Sequence, residues 1–383
     1  MSPSQKVQIN QAWRAEIWRD WNLPVSLKDQ WEELAGLCGE AELFLVPALF
    51  EIWWGSFGES RDLFLIFLFE QENLRGIFPL SLNESSSNGK LLSSLTNDHT
   101  FLYDFIIHPE FQKETLHQLF NLCQSWWGTS PIRLENFTQA GPNWDILEGE
   151  LLRRGYYVHT YKHPCSPFIN LDFNWEKYFA DLPSNLRRNL RHRRRRAEEE
   201  GRLSFEVVRE TADLENILTE AFEVESSSWK GVQGTSINSK PHIENFYREL
   251  AKWASKKGKF YLFVLRLNRR MISFRFCLAG QKTMYSIKTG YDQVSAAQFS
   301  PGSLILCHLL EYLYNSREFT RFVFMGVSDK WKMEWNAISD TNGWLDAFPN
   351  NFKGWCQYSF RYGWKKAIKR FLRLVRIPGF AAS

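Results

Sequence analysis

Four small residues stand where this chain could bind a phosphate group. The turn reads Ser300-Pro301-Gly302-Ser303. It follows a predicted strand, Met284–Gly290, and precedes a predicted apolar helix, Ser303–Ser316. The first N–H groups of a helix have no partner within it and carry a partial positive charge, so they can hold a phosphate or pyrophosphate. The pattern indicates a nucleotide or coenzyme site; the alternative is that Ser300 only caps the helix, with Pro301 at its first position.

The sequence gives no support to nucleophilic or metal-assisted chemistry. No Gly-x-Ser-x-Gly elbow occurs. The six cysteines are far apart, without a Cys-x-x-Cys pair or histidines at ligand spacing. We therefore expect reduced cysteines and no bound metal.

The elements that must position the turn occur twice along the chain. In the C-terminal half we predict strands at 260–267, 271–279 and 284–290, a helix at 303–316 and a strand at 321–325. In the N-terminal half we predict strands at 63–70, 75–82 and 91–103, a helix near 112–127 and a strand at 132–136. Corresponding elements lie about 190 residues apart. The sequence thus predicts an α+β fold of two similar units, each a mixed, mostly antiparallel sheet flanked by helices.

The two predicted units differ at the start of the repeated helix. Where the second unit has its small-residue turn, the first has His108-Pro109-Glu110-Phe111. Glu110 places a carboxylate where a phosphate would need a hydrogen-bond donor. We therefore expect only the second unit to bind a coenzyme phosphate.

An arginine-rich segment connects the two units. Seven arginines lie within the eleven residues from Leu186 to Arg196, followed by three glutamates and Gly201. Asp181 or Ser184 can cap the start of a helix here, Gly201 can end it, and its last arginines form i,i+4 pairs with the glutamates. Positive charge at a helix N-terminus interacts unfavourably with the helix dipole, so we expect an anionic partner to stabilise this end of the helix. Nucleic acid, anionic lipid, acidic residues of the protein and coenzyme phosphates all remain open.

The composition is that of an ordinary globular protein. The chain has 383 residues, a length that is enough for two domains. Of these residues 44% are hydrophobic and 23% are charged, and the net charge is +4. The N-terminus lacks the order of a secretory signal, and the longest apolar runs, Leu43–Phe50 and Leu63–Phe69, are too short to span a membrane. We expect a cytoplasmic protein.

The C-terminal residues 351–383 form a second basic stretch. From Phe360 to Arg376, apolar residues recur at helical spacing among lysines and arginines. This pattern predicts a basic aromatic helix that docks on the protein itself or lies on an anionic membrane surface, at the inner face of the membrane.

Taken together, these motifs resemble the CelD-like acyltransferases, a bacterial family of the GNAT superfamily with two GNAT-like domains that is related to the Fem-type aminoacyl transferases. The resemblance rests on the arginine run ending at Gly201, Ser228-Trp229-Lys230-Gly231, Gly290-Tyr291-Asp292, Ser300-Pro301-Gly302, and Gly326 followed by Trp331-Lys332 and Trp335. It covers roughly residues 30 to 340. The chain departs from the family pattern at Val323, where an Asp is usual, and at Trp331, where a Tyr is usual.

The resemblance implies transfer of an acyl group from acyl-CoA, acetyl or longer, to an amine or hydroxyl on a sugar or polysaccharide precursor. The pyrophosphate would sit on Ser300–Ser303, with Tyr285 also on the coenzyme. Such catalysis is mostly positioning, with a base for the acceptor proton and an acid for the leaving thiolate. Asp292 is the candidate base and Tyr291 the candidate acid.

The remaining candidates concern the substrate. Lys230 and Lys332, with Trp229 and Trp331 beside them, are expected to bind an anionic substrate or to orient the thioester carbonyl. Each candidate also has an ordinary interpretation: Asp292 as a turn former, the tyrosines as core or rim aromatics, and Lys332 as a surface charge.

From these patterns we predict five segments. They are an N-terminal extension (1–25), a GNAT-like domain without a phosphate loop (26–170), a basic linking helix (171–204), a GNAT domain that binds acyl-CoA (205–350) and the C-terminal helix (351–383). One rival is a Fem-like transferase that takes its acyl group from aminoacyl-tRNA and grips it with the arginine run. Another is a non-catalytic scaffold in cell-envelope or polysaccharide assembly.

Overall fold

The computed structural model describes residues 4–39, 42–85, 89–100, 102–127, 130–138, 143–172, 174–210, 212–227, 236–294 and 296–363. Its residues form two compact units. The first unit takes in the described residues of Met1–Leu34, Ser60–Lys162 and Gly343–Ser383. The second takes in those of Ala35–Glu59 and His163–Asn342.

The strands, in chain order, are β1 (Ser4–Gln8), β2 (Trp13–Trp18), β3 (Asp62–Glu70), β4 (Asn73–Ser85), β5 (Gly89–Ser94), β6 (Ile106–Ile107), β7 (Ile132–Thr138), β8 (Tyr157–Asn170), β9 (Leu203–Val208), β10 (Phe260–Leu267), β11 (Arg270–Ala279), β12 (Thr283–Tyr291), β13 (Arg321–Val323) and β14 (Ile338–Phe348).

The α-helices are α1 (Val25–Gly36), α2 (Glu42–Leu45), α3 (Pro47–Phe57), α4 (Gln112–Trp127), α5 (Asn143–Arg153), α6 (Trp175–Asp181), α7 (Ser184–Glu200), α8 (Leu214–Ser226), α9 (Pro241–Lys256), α10 (Pro301–Ser316), α11 (Lys330–Met333) and α12 (Phe352–Tyr358). A short 3₁₀ turn at Ala297–Phe299 leads into α10.

The first unit is built on a sheet in which β1 to β5 pair in sequence, each antiparallel to the one before. After β5 the chain forms α4 and returns as β7, which pairs parallel to β5. Parallel neighbours need such a crossover, because a tight turn can only reverse the chain. Residues 63–69 of β3 are all buried, as expected for a strand covered on both faces.

The second unit repeats this arrangement. Strands β9 to β12 pair antiparallel in sequence, α10 crosses over, and β13 returns parallel to β12. Strand β8 pairs antiparallel with β13 through its residues 168–170. The predicted α+β fold of two similar units, and the repeat of their elements, are confirmed.

Two predicted strand ends were wrong, each for a local reason. The strand predicted at 91–103 stops at Ser94, since Asn97 forms a turn in which its side chain accepts the N–H of His99. The strand predicted at 321–325 stops at Val323, because Met325 and Gly326 take positive φ values of 37° and 75°. The sequence analysis also missed β1, β2, β8, β9 and β14.

The arginine-rich helix α7 has the predicted end but not the predicted cap. It ends at Glu200, and the N–H of Gly201 donates to the carbonyl of Ala197. Its N-cap is Pro183, which cannot supply a side-chain cap, so neither Asp181 nor Ser184 has that role. The buried Leu190 and Ala197 face the core, and α7 contacts α10 and the Ala297–Phe299 turn.

The predicted domain bounds remain a prediction. They are consecutive stretches of sequence, whereas each compact unit combines segments that are distant in sequence. Helix α3, predicted within 26–170, belongs to the second unit, where it packs on α9. Of the predicted C-terminal helix, the structure shows α12 and a π-helical turn at 359–363; residues 364–383 lie outside the described part. Among the described residues no helix is long and apolar enough to cross a membrane, and no cluster of His, Cys, Asp or Glu could hold a metal.

Candidate functional site

The second unit contains a cleft because two neighbouring strands diverge. The parallel pairing of β12 with β13 covers only Thr283 to Tyr285, although β12 continues to Tyr291. On its other side, β12 carries one extra residue, Ile287, where the register with β11 shifts. Such a bulge bends the strand and increases its twist. The resulting cavity of about 630 Å³ is lined by residues 286–289, 300–303, 324–325 and 331–332, among others.

The start of α10 opens into this cavity. Ser300 is in the left-handed region, with φ 47° and ψ 62°, and its side chain makes no capping hydrogen bond. Ser300 is the N-cap residue and Pro301 opens the helix, as the alternative interpretation has it, but the cap is made without the serine side chain. Its carbonyl accepts the N–H groups of Ser303 and Leu304, which closes the first turn. The predicted phosphate turn, Ser300–Ser303, lies as a whole along the cavity wall.

Tyr291 lies against this helix start. A Cβ atom at Gly302 would be 3.2 Å from Cδ1 of Tyr291, so glycine lets the ring approach the first helical turn. The tyrosine is half-buried and lines the cavity. The structure therefore brings the candidate acid and the phosphate turn together.

Asp292 is not among the cavity-lining residues. Its side chain is 1% exposed, and its carboxylate accepts from Nη2 of Arg270 at 2.7 Å and from the N–H of Val294 at 2.9 Å. The second of these bonds is the hydrogen bond of an Asx turn. The structure thus places the candidate base in the turn that follows β12.

Tyr285 is likewise away from the cavity. It is 3% exposed, and its ring meets that of Phe44 edge to face at 4.8 Å between centroids. Its strand partner is Val323, the residue that stands where the family pattern has an Asp. The structure does not bring Tyr285 to the predicted phosphate turn, Ser300–Ser303.

Lys332 projects into the cavity from the segment after β13. Its ammonium donates to the carbonyls of Met325 at 3.2 Å and Val327 at 2.6 Å, and pairs with Asp329 at 3.2 Å. Burial lowers the pKa of Lys332 below 10.5, and the Asp329 carboxylate opposes that shift. Trp331, which is 41% exposed, lies beside it and also lines the cavity. The structure therefore brings Trp331 and Lys332 together with Tyr291, while Trp229 and Lys230 lie outside the described residues.

Three charged residues of this cavity were not predicted, namely Arg275, Lys288 and Asp329. Arg275 lies in the middle of β11, is 3% exposed, and donates from Nη1 to Oγ of Ser286 at 3.1 Å. Burial lowers the pKa of Arg275 to about 10. Asp329 supplies the only carboxylate among the residues found to line the cavity. The available signal for Arg275 was a lone charge within an otherwise apolar strand, since such residues are rarely buried without a reason.

Helix α7 packs beside the helix whose start opens into this cavity. It contacts α10 and the turn that precedes α10. Arg194 and Arg195 pair with Glu198 and Glu199 at 3.0 and 3.3 Å, with all four side chains about half exposed or more. Such exposed pairs contribute little stability, about 0.3–0.5 kcal/mol each, and they leave the arginines accessible to an anion.

The part of the chain that contains this site is similar to a known protein family. Residues 184–333 match the family model described as "Acetyltransferase (GNAT) domain". No curated protein sequence matches the chain.

Solved structures resemble the chain over most of its length. FemX is 12% identical, with a TM-score of 0.57 over 83% of this chain and 95% of that one. L-PGS from Bacillus licheniformis is 11% identical, with a TM-score of 0.53 over 86% and 93%. The C-terminal domain of a putative lysylphosphatidylglycerol synthetase from Agrobacterium fabrum is 10% identical, with a TM-score of 0.50 over 83% and 92%. At these identities the likeness shows a shared fold.

Proposed function

We propose that the second unit transfers an acyl group from acyl-CoA to an amine or hydroxyl acceptor, as in the CelD-like branch of the GNAT superfamily. The observation that carries this proposal is the start of α10, which opens into the cleft between the diverging strands β12 and β13. A helix start of this kind suits a pyrophosphate. The match of residues 184–333 to the GNAT acetyltransferase domain supports the same assignment.

The cleft offers a place for each part of acyl-CoA. The pyrophosphate would bind at the N–H of Gly302 and the hydroxyl of Ser303, at the first turn of α10, because the N–H of Ser303 donates to the carbonyl of Ser300. The amide-containing arm would extend along β12 beyond Tyr285, where the pairing with β13 has ended. Helix α7 contacts α10 and the turn that precedes it, and its exposed arginines would neutralise the remaining phosphate charge.

The transfer step needs little beyond positioning and charge stabilisation. The acceptor nitrogen or oxygen attacks the thioester carbonyl carbon, and the carbon–sulfur bond breaks as the new bond forms. The Lys332 ammonium would stabilise the negative charge that develops on the carbonyl oxygen. Asp329 would accept the acceptor's proton, and Tyr291 would protonate the departing thiolate.

This assignment gives Asp292 and Tyr285 positioning roles. The Asp292 carboxylate fixes the turn after β12 through Arg270 and Val294, and this turn carries Tyr291 at its edge. Tyr285 packs against Phe44 and holds β12 at the point where the strands diverge. Neither residue contacts substrate in this proposal. The acceptor class that we propose remains a sugar or polysaccharide precursor, on the resemblance to the CelD-like family.

Thermal melting with a panel of acyl-CoAs tests the proposal. A ligand at a hundred times its Kd stabilises the folded state by about 2.7 kcal/mol, so binding acyl-CoAs should raise the Tm by several degrees. Ser303→Glu should abolish the rise, because its carboxylate would occupy the helix start. It should not lower the unliganded Tm, since an acidic residue there is favourable to the helix dipole, by about 0.3–1 kcal/mol.

Asn315→Glu is the matched control, because it adds the same charge to the other end of α10. The two positions are separated by about 18 Å along the helix axis, beyond a Debye length of about 8 Å. It should therefore keep the response to acyl-CoA. No response of the wild type to any acyl-CoA would overturn the proposal and favour the scaffold role.

A Fem-type transfer from aminoacyl-tRNA is the second candidate, and the exposed arginines of α7 favour it. Neutralising Arg193–Arg196 should then abolish tRNA binding, and the wild-type affinity should fall steeply with salt. Under the acyl-CoA proposal, the same variants would weaken acyl-CoA binding, and tRNA binding would show no preference over another polyanion of equal length.

A further inference from the structure

Arg275 is a buried cation that the proposed transfer step does not use. It lines the cavity, donates to Ser286, and lies 5.9 Å from the centroid of the Trp331 ring. Its Nε atom is buried and has no hydrogen-bond partner. The guanidinium is therefore held in place with part of its hydrogen-bonding capacity unused.

The charges around the cavity balance except at Arg275. Lys332 is paired with Asp329 at 3.2 Å, and Lys288 with the buried Glu225 at 3.9 Å. No carboxylate of the described residues lies within ion-pair distance of Arg275. One positive charge is therefore left without an anionic partner.

A comparison within the same unit shows how a partly buried arginine is normally satisfied. Arg266 makes two hydrogen bonds to Glu220, at 2.6 and 2.9 Å, and one to Glu206 at 3.0 Å. Burying a charge without such partners is costly. A buried cation without an anionic partner in the protein is expected where a bound ligand supplies the negative charge.

We propose that Arg275 binds a carboxylate of the substrate, so that the enzyme acts on a substrate with one negative charge near the reacting centre. A carboxylate fits both the single unbalanced charge and the planar donor fork of a guanidinium. Lys332 and Trp331 border the same subsite. This inference rests on the proposed acyl-CoA transfer and specifies its substrate class.

Two sources of the carboxylate are consistent with this geometry. It can be the far end of a dicarboxylic acyl group on coenzyme A, or it can belong to the acceptor. The shared chemistry is one carboxylate held by Arg275, and the two arms of the test distinguish the sources.

The donor arm compares succinyl-CoA with butyryl-CoA by isothermal titration calorimetry. If the acyl group carries the carboxylate, the wild type should bind succinyl-CoA at least about tenfold more tightly, a difference of about 1.4 kcal/mol. Arg275→Met should lose this preference. Arg275→Lys, which keeps the charge but not the fork, should retain part of it.

The acceptor arm uses protein saturated with coenzyme A. If the acceptor carries the carboxylate, 4-aminobutyrate should raise the Tm of the wild type more than butylamine does, and Arg275→Met should abolish the difference. A carboxylate preference that depends on Arg275 in either arm supports the inference, and its absence from both overturns it.

Acetyl-CoA separates this inference from the proposed function. It carries no acyl carboxylate, so it should bind the wild type and Arg275→Met equally well. If acetyl-CoA and longer acyl-CoAs all fail to bind the wild type, the proposed function itself is wrong. If they bind and neither arm shows a carboxylate preference, only the assignment of Arg275 is wrong.

Discussion

Replacing Arg275 by Met should make the unliganded protein at least as stable as the wild type. Burial lowers the pKa of Arg275 from the usual value of an arginine to about 10. A depressed pKa of a base means that the folded state disfavours the protonated form. At pH 7 the guanidinium is protonated in both the folded and the unfolded state, so the free-energy cost of burying its charge is fully present. This cost decreases only as the pH rises above about 10.

The expected magnitude follows from this pKa. A tenfold change in proton affinity corresponds to about 1.4 kcal/mol, so the buried charge costs at most about 3 kcal/mol. The lost hydrogen bond to Ser286 offsets about 1 kcal/mol of the gain. Arg275→Met should therefore raise the free energy of unfolding by up to about 2 kcal/mol, in line with other replacements of buried charges by apolar residues.

Arg266→Met is the matched control, because this arginine is also largely buried but has carboxylate partners. Its side chain is 16% exposed, and Glu206 and Glu220 are 43% and 38% exposed. Removing it should cost about 1–3 kcal/mol, since hydrogen bonds between charged groups are lost. At roughly 2–4 °C per kcal/mol for a domain of this size, the two variants should shift the Tm in opposite directions.

Thermal and urea unfolding of the two variants at pH 7 supply the measurement. We expect the Tm of Arg275→Met to equal or exceed that of the wild type and the Tm of Arg266→Met to be lower. If Arg275→Met melts as low as Arg266→Met, then Arg275 is a structural residue with partners inside the fold. The argument for an anion subsite would then be refuted.

Three further predictions concern single residues. Lys332→Met should lower kcat, measured by steady-state kinetics, by roughly 10²-fold. The Kd of acyl-CoA, measured by calorimetry, should change little. An unchanged kcat would show that Lys332 does not act in the transfer step. Asp292→Asn should lower the free energy of unfolding by about 1 kcal/mol and change kcat by less than about threefold, whereas loss of activity in a folded variant would restore it as the base. In the first unit, burial raises the pKa of Asp104 from 3.8 to about 7. Between about pH 4 and 7 the folded state therefore keeps a proton that the unfolded state has released. The contribution of Asp104 to the free energy of unfolding should fall as the pH rises through this range. Asp104→Asn should remove that fall from the pH dependence of the Tm, and an unchanged profile would contradict it.

The repeated architecture could be predicted because it rests on local patterns. Apolar strands of the right length, followed by an amphipathic helix and another strand, recur in both halves, and the parallel pairs β5/β7 and β12/β13 follow from the crossover helices. The end of β13 could not be predicted in the same way. It depends on the positive φ of Met325, which is not glycine and which the apolar pattern 321–325 does not reveal.

The residues that line the cavity were predicted where their placement depends on the backbone and missed where it depends on side-chain direction. The turn 300–303 could be recognised because a helix start binds anions through its backbone. Asp292 follows β12 directly, yet its carboxylate turns back to Val294 and Arg270. Arg275 lies on a different strand and enters the same cavity through sheet pairing opposite Thr289, which sequence spacing does not disclose.

The central claim is that the start of α10 holds the pyrophosphate of coenzyme A. The most direct test measures the Kd of coenzyme A and of pantetheine, which lacks the pyrophosphate, for the wild type and for Ser303→Glu. The wild type should bind coenzyme A at least about tenfold more tightly than pantetheine, a difference of about 1.4 kcal/mol. Ser303→Glu should bring the two Kd values together by weakening coenzyme A alone. An equal preference for coenzyme A in the wild type and in Ser303→Glu would contradict the claim.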